Sequence, residues 1–237
     1  MGSRAGYGDD RAVEAPPPPR KSVLRDYTET ILVCVIFVIF SRAFVFQQSK
    51  IPSGSMLDTL LIGDYIMVNR FVYAPTSSDL ERAILPVRPI RRGDVAVFKY
   101  PTEPEVDYIK RVIGLPGDDI EFRDGYLYAN GEYVDEPYVK PQYRALDSPR
   151  NRNFRIKVPE GEYLMLGDHR NRSSDSREWG TVPAELIKGR ALLIWYSFDE
   201  APSDGRETAA EQVRGWGSKI VHFFGKSRFS RCFTLIR

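Results

Sequence analysis

The chain has 237 residues, with 34 Lys and Arg against 32 Asp and Glu, and its net charge of +2 excludes bulk electrostatic attraction to nucleic acid. Two cysteines (Cys34, Cys232) and two histidines (His169, His222), with no Cys-x-x-Cys pair, leave no zinc site to expect and no cofactor motif. Cys34 sits in the most apolar stretch and is not expected to pair with Cys232, so hydroxyls, carboxylates and lysines must carry any chemistry.

Residues 1–26 read as a tail, disordered through the proline run Pro16 to Pro19. Tyr27 to Phe46 then gives 20 largely apolar residues, enough at ~1.5 Å each to span a ~30 Å hydrocarbon core. Arg20, Lys21 and Arg25 precede this run and only Lys50 closely follows it, which predicts a single transmembrane helix with its N-terminus in the cytoplasm. A cleaved signal peptide is the rival reading, because Ser41-Arg42-Ala43 resembles a small-x-small cleavage site. The long N-terminal tail argues against it.

Beyond the anchor, residues 47–200 change to period-two patterning, which predicts a mostly β, antiparallel extracytoplasmic domain. Strands are expected at Tyr65 to Val68, Val95 to Phe98 and Leu192 to Tyr196. Asp124-Gly125 and Asn130-Gly131 flank Tyr126 to Tyr128 and predict two tight hairpin turns. Residues 74–90 read as a loop insertion and 134–155 as a polar excursion. The tail 201–237 ends in mixed aromatic and basic residues, suited either to a membrane surface or to packing.

Four segments concentrate reactive side chains. Ile51 to Leu60 holds Ser53-Gly54-Ser55, a tripeptide that alone reads as linker but here lies among Ile51, Met56 and Leu60. Gly63 to Arg70 reads as a turn and a core strand. Arg91 to Asp118 holds Lys110 between Ile109 and Val112. On its own such a lysine reads as solvated, but turned to the apolar face it would be desolvated and made a base. Gly167 to Gly180 is either a solvated loop or a polar platform, with Asp168 and Asp175 expected to pair with Arg170 and Arg177.

These segments, in this order behind one anchor, resemble the conserved boxes of bacterial type I signal peptidases, proteases with a serine/lysine dyad. The resemblance runs from about Arg42 to Phe198. It implies Ser55 as nucleophile and Lys110 as general base, with the Ser53 hydroxyl and the Ser55 N–H as the oxyanion hole. It implies Ser173 as the residue orienting the lysine, and Asp168, Arg170, Asp175 and Arg177 as ionic supports. Ile51, Ile66, Val97 and Ile109, with Pro52 and Tyr108, would form substrate pockets that admit only small residues. Implied partners are signal-peptide-bearing preproteins, membrane lipid and the nearby secretion translocon, all at the bacterial cytoplasmic membrane. Asp58 stands where the family usually has proline, and His169 where many members have asparagine. The competing readings are a self-cleaving Ser/Lys repressor, a peptidase for one pilin-like substrate, and a non-catalytic tethered β domain. The anchor speaks against the first, and the joint presence of Ser53, Ser55, Lys110 and Ser173 against the last.

Overall fold

The computed structural model describes residues 23–40, 46–73, 87–144, 153–201 and 223–237. The chain divides into two units, residues 1–39 and 40–237. Helix α1, Val23–Phe40, lies in the first unit up to its last residue. Its opening turns carry Arg25, Asp26 and Glu29, and the uninterrupted apolar run is Ile31 to Phe40. Among the described residues no helix is long and apolar enough to cross a membrane. The expected span of 27–46 is corrected at its end, because Phe46 opens strand β1, Phe46–Lys50. The run from Ala43 to Phe46 fits either structure by periodicity, and pairing of β1 with β2 decides it for Phe46. Residues 41–45 lie outside the described residues.

The second unit is mostly antiparallel β structure. Its larger sheet is built from β1, β2 (Asp64–Asn69), β3 (Val95–Tyr100), β4 (Glu103–Gly114), β9 (Glu162–Leu166), β10 (Val182–Pro183), β11 (Ile187–Ser197) and β12 (Thr234–Leu235). The strand order is β1-β2-β11-β3-β4-β9-β10, with β12 paired to β11. The smaller sheet has the order β7-β6-β5-β8, from β5 (Asp119–Arg123), β6 (Tyr126–Ala129), β7 (Glu132–Tyr133) and β8 (Asn153–Lys157). Both expected hairpin turns form. Asp124-Gly125 and Asn130-Gly131 all have φ between 49° and 85°, the left-handed conformation that a two-residue turn requires.

Alternation along β3 and β4 sends side chains to opposite faces of the larger sheet. Val95 and Val97 join Ile66, Val68, Ala191, Ile194 and Ile236 in one buried cluster, with Ile109 at its margin. Ala96, Phe98 and Val112 face the other way, toward Met165, Val182 and Tyr108. A third cluster seats the smaller sheet, through Ile120, Phe122 and Leu127, against Ile113, Leu164 and Leu166. The C-terminal end is packed. Ile236 is buried with the first cluster, and Arg231 bonds Asp64 Oδ2 at 2.7 Å and the Thr59 carbonyl at 3.0 Å.

Candidate active site

Ser55 lies in the turn that follows Ile51-Pro52, and Lys110 lies in the middle of β4, opposite Ala96. The two are brought together, with Lys110 Nζ 2.7 Å from Ser55 Oγ. Lys110 is only 4% exposed, and its amine stands 5.2 Å from the centre of the Tyr108 ring. Burial lowers its pKa from 10.5 to about 8, against the pull of the Asp175 and Asp168 carboxylates. Near neutral pH a useful fraction of the amine is therefore unprotonated and can accept the Ser55 proton.

Gly167 makes the junction possible. A Cβ there would come within 2.2 Å of Ser173 Oγ and 2.5 Å of the Ser55 carbonyl oxygen. Three chain segments thus meet at a position that only glycine fits. The Ser55 carbonyl accepts from the His169 N–H at 3.1 Å, which ties the Ser55 backbone to the loop after β9. Ser173 is brought to this junction with its hydroxyl enclosed beside Gly167, where it helps to hold the Asp175 carboxyl low. Ser53 stands exposed two residues before Ser55.

The ionic supports pair differently from the sequence expectation. Asp168 is gripped by Arg111, through Nε at 2.8 Å and Nη2 at 2.6 Å, and Thr59 Oγ1 donates to it at 2.5 Å. Arg170 instead pairs with the buried Glu136, Nη1 to Oε2 at 3.0 Å. Asp175 does pair with Arg177, at 2.8 and 2.7 Å, and also accepts from the Gly167 N–H at 3.1 Å. Burial pushes the Asp175 carboxyl up, but the Arg177 guanidinium and that N–H outweigh it and hold it below the usual carboxylate range. Arg111, Glu136 and Thr59 are the site residues missed in the sequence. An Arg beside a Lys reads as solvated charge, and Glu136 lies 34 positions from its partner.

Ile51, Ile66 and Val97 share one buried cluster, with Ile109 packed at its edge. Pro52 is half-buried beside them. Tyr108 does not join this cluster. It faces the opposite side, stacked on Tyr100 with ring centres 4.4 Å apart. Among the described residues no group of three or more His, Cys, Asp or Glu is gathered to hold a metal. His169 lies with its ring centre 4.0 Å from that of Tyr143, and burial lowers its pKa, with Arg172 adding to the effect.

A hydroxyl held against a desolvated amine is an arrangement in which the amine can take the hydroxyl proton. The family model described as signal peptidase, peptidase S26, matches residues 24–196. The chain is similar to a signal peptidase I of Pseudomonas aeruginosa, 35% identical over 214 residues that cover 76% of this chain and 75% of that protein. It is also similar to a probable signal peptidase I-2 of Synechocystis, 36% identical over 86% of this chain and 89% of that one. The crystal structure of a signal peptidase I from Enterococcus faecalis, 34% identical, covers 44% of this chain and 97% of its own, with a TM-score of 0.40. The chain belongs to the signal peptidase, peptidase S26, family.

Proposed function

We propose that this chain is a membrane-bound serine endopeptidase that removes N-terminal signal peptides from exported preproteins. The observation that carries the reading is the 2.7 Å approach of the buried Lys110 amine to Ser55 Oγ in a chain of this family. Neutral Lys110 takes the proton of Ser55 as Oγ attacks the scissile carbonyl carbon. The oxyanion is met by the Ser55 N–H and the Ser53 hydroxyl, donors of a kind worth ~3–4 kcal/mol of barrier each. The resulting Lys110 ammonium passes its proton to the leaving amine, and the amine base so regenerated activates the water that hydrolyses the acyl-enzyme. Ser173, the residue that the resemblance assigns to orienting the lysine, acts from the Gly167 junction beside Asp175, while Asp168, Arg170, Asp175 and Arg177 hold the loops in register. The cluster of Ile51, Ile66, Val97 and Ile109, which supplies apolar bulk and no charge, supports a preference for cleavage after a small-x-small signature.

In the same reading the apolar segment that begins at Tyr27 and ends before strand β1 anchors the chain in the bacterial cytoplasmic membrane, with the β domain outside. Lipid and the neighbourhood of the translocon follow from the substrate, which is itself membrane-embedded. The test is to incubate the full chain in detergent with a preprotein and sequence the new N-terminus. Cleavage after Ala-x-Ala is expected, and Ser55→Ala, Lys110→Ala and the double variant should each abolish it to the same degree, because the pair acts as a unit. Retained cleavage in either single variant would overturn the dyad. Equal cleavage after large or basic residues would overturn the signal-peptide reading.

A further inference from the structure

Between β7 and β8 the chain passes through residues 136–144, and this stretch is attached at successive points to the Ser55 turn, to β4 and to the loop after β9. Glu136 is buried and receives the Arg170 guanidinium. The Tyr138 ring lies 3.8 Å from the centre of the Arg111 guanidinium, and its hydroxyl donates to Glu136 Oε1 at 3.1 Å. Val139 is buried. Lys140 Nζ reaches Asp58 Oδ1 at 2.9 Å. The Gln142 carbonyl accepts from Asn171 Nδ2 at 3.2 Å, and Tyr143 lies against His169.

Two of these attachments end beside the nucleophile. Asp58 follows Ser55 by three residues and has φ 76°, a left-handed conformation that a side chain resists and a proline ring cannot adopt. Lys140 holds the carboxylate of that residue. His169 donates its backbone N–H to the Ser55 carbonyl, and Tyr143 braces the His169 ring. The nucleophile's backbone is therefore steadied from both sides by one stretch of chain. A purely global role does not suit the Lys140–Asp58 pair, whose side chains are 50% and 28% exposed, since ion pairs so open to water add little to overall stability.

We propose that residues 136–144 form a positioning strap for the Ser55 turn, with Lys140 acting through Asp58 and Tyr143 acting through His169. The kinetic part of this proposal rests on the reading of Ser55 as nucleophile, so the test has one arm that does not. The full chain in detergent micelles is compared with Lys140→Ala, Tyr143→Ala and the double variant. Amide exchange is followed at His169, which donates to Ser55, and at Leu60, which donates to Met56 at 2.8 Å. Val112, bonded to Asp94 at 2.8 Å within the sheet, is the reference amide.

In the double variant, exchange at His169 and Leu60 should quicken about 10-fold while Val112 is unchanged, because opening is local. With a preprotein substrate, kcat should fall by about 10-fold and KM stay constant, as expected when a reacting group is misplaced. Asp58→Gly added to Lys140→Ala should restore kcat, because glycine holds the left-handed turn without a partner. Unchanged exchange at His169 and Leu60 overturns the strap. So do quickened exchange with unchanged kcat, failure of the glycine rescue, or loss of protection at Val112 as well, which would mark a general structural role. A wild-type chain that cleaves no preprotein removes the assigned reaction, and the strap is then decided by the exchange alone.

Discussion

Lys110 is a buried amine whose proton is held loosely, and that single property bears on stability and, in the proposed reaction, on rate. The rate with a preprotein should rise with pH through an apparent value of about 8, as the amine loses its proton. The stability consequence has a definite sign. In the unfolded chain the lysine keeps its ordinary value of 10.5, so between about 8 and 10.5 the unfolded state binds a proton that the folded state has released. Unfolding free energy therefore rises with pH across this window, by about 3 kcal/mol at the scale of 1.36 kcal/mol per unit. Below about 8 both states are protonated and the burial penalty is felt in full. Lys110→Met has no proton to place. It should exceed the wild type in urea unfolding at pH 7, and the gap should close by pH 10. An equal pH slope in the two proteins would show that the amine is not the source. The apolar setting of Lys110 comes from strand alternation, which sets it on the same face as Ala96, Phe98 and Val112.

One residue further along β4, alternation turns the side chain to the opposite face, and Arg111 organises the ionic support there. Arg111 and Asp168 are each 1% exposed, and the guanidinium also reaches the Gly93 and Arg237 carbonyls at 2.8 and 2.9 Å. Removing the arginine leaves a buried carboxylate unpaired. Arg111→Ala should cost about 3–5 kcal/mol in urea unfolding. Arg111→Lys should recover less than half of that, because an ammonium cannot reproduce the two-pronged contact. A loss under about 1 kcal/mol for Arg111→Ala would mean that the carboxylate finds other partners. These elements also mark how far the sequence could be read. The strands at 65–68, 95–98 and 192–196 and the turns at Asp124-Gly125 and Asn130-Gly131 were legible because their signals are local. The approach of Ser55 to Lys110 was legible only through recognisable boxes, because nothing local told the lysine apart from a solvated one. The pairing of charges was not legible. Asp168 and Arg170 are near neighbours in sequence, yet each is claimed by a residue from a distant segment, Arg111 and Glu136 respectively. The insertion of β11 between β2 and β3, and the return of β12 to β11, likewise depend on long-range pairing that no short pattern encodes.

At the scale of the whole molecule, charge and apolarity are distributed along the chain in a way that argues for orientation. The described helix has 18 residues, but its uninterrupted apolar part, Ile31 to Phe40, has ten, or ~15 Å of rise against a ~30 Å hydrocarbon core. The missing length must come from both ends if the segment is to anchor the chain. Tyr27 to Thr30 on one side carries a single charge, Glu29, which is paired with Arg25 at 2.8 Å in the helix. On the other side, residues 41–45 hold Arg42, whose long stem can carry its charge to the interface. Lysine and arginine cluster before the segment at Arg20, Lys21 and Arg25, which favours a cytoplasmic N-terminus. A tag at the N-terminus and one at the C-terminus report the arrangement directly. Protease added to intact spheroplasts should consume the C-terminal tag and spare the N-terminal one, and permeabilised cells should lose both. Sodium carbonate at high pH should leave the full chain in the pellet. Release into the supernatant, or a mature chain beginning at Phe44, would show that the segment is cut rather than kept and would end the anchored reading. Protection of the C-terminal tag in intact spheroplasts would invert the topology and put the Ser55–Lys110 pair on the wrong side of the membrane for exported substrates.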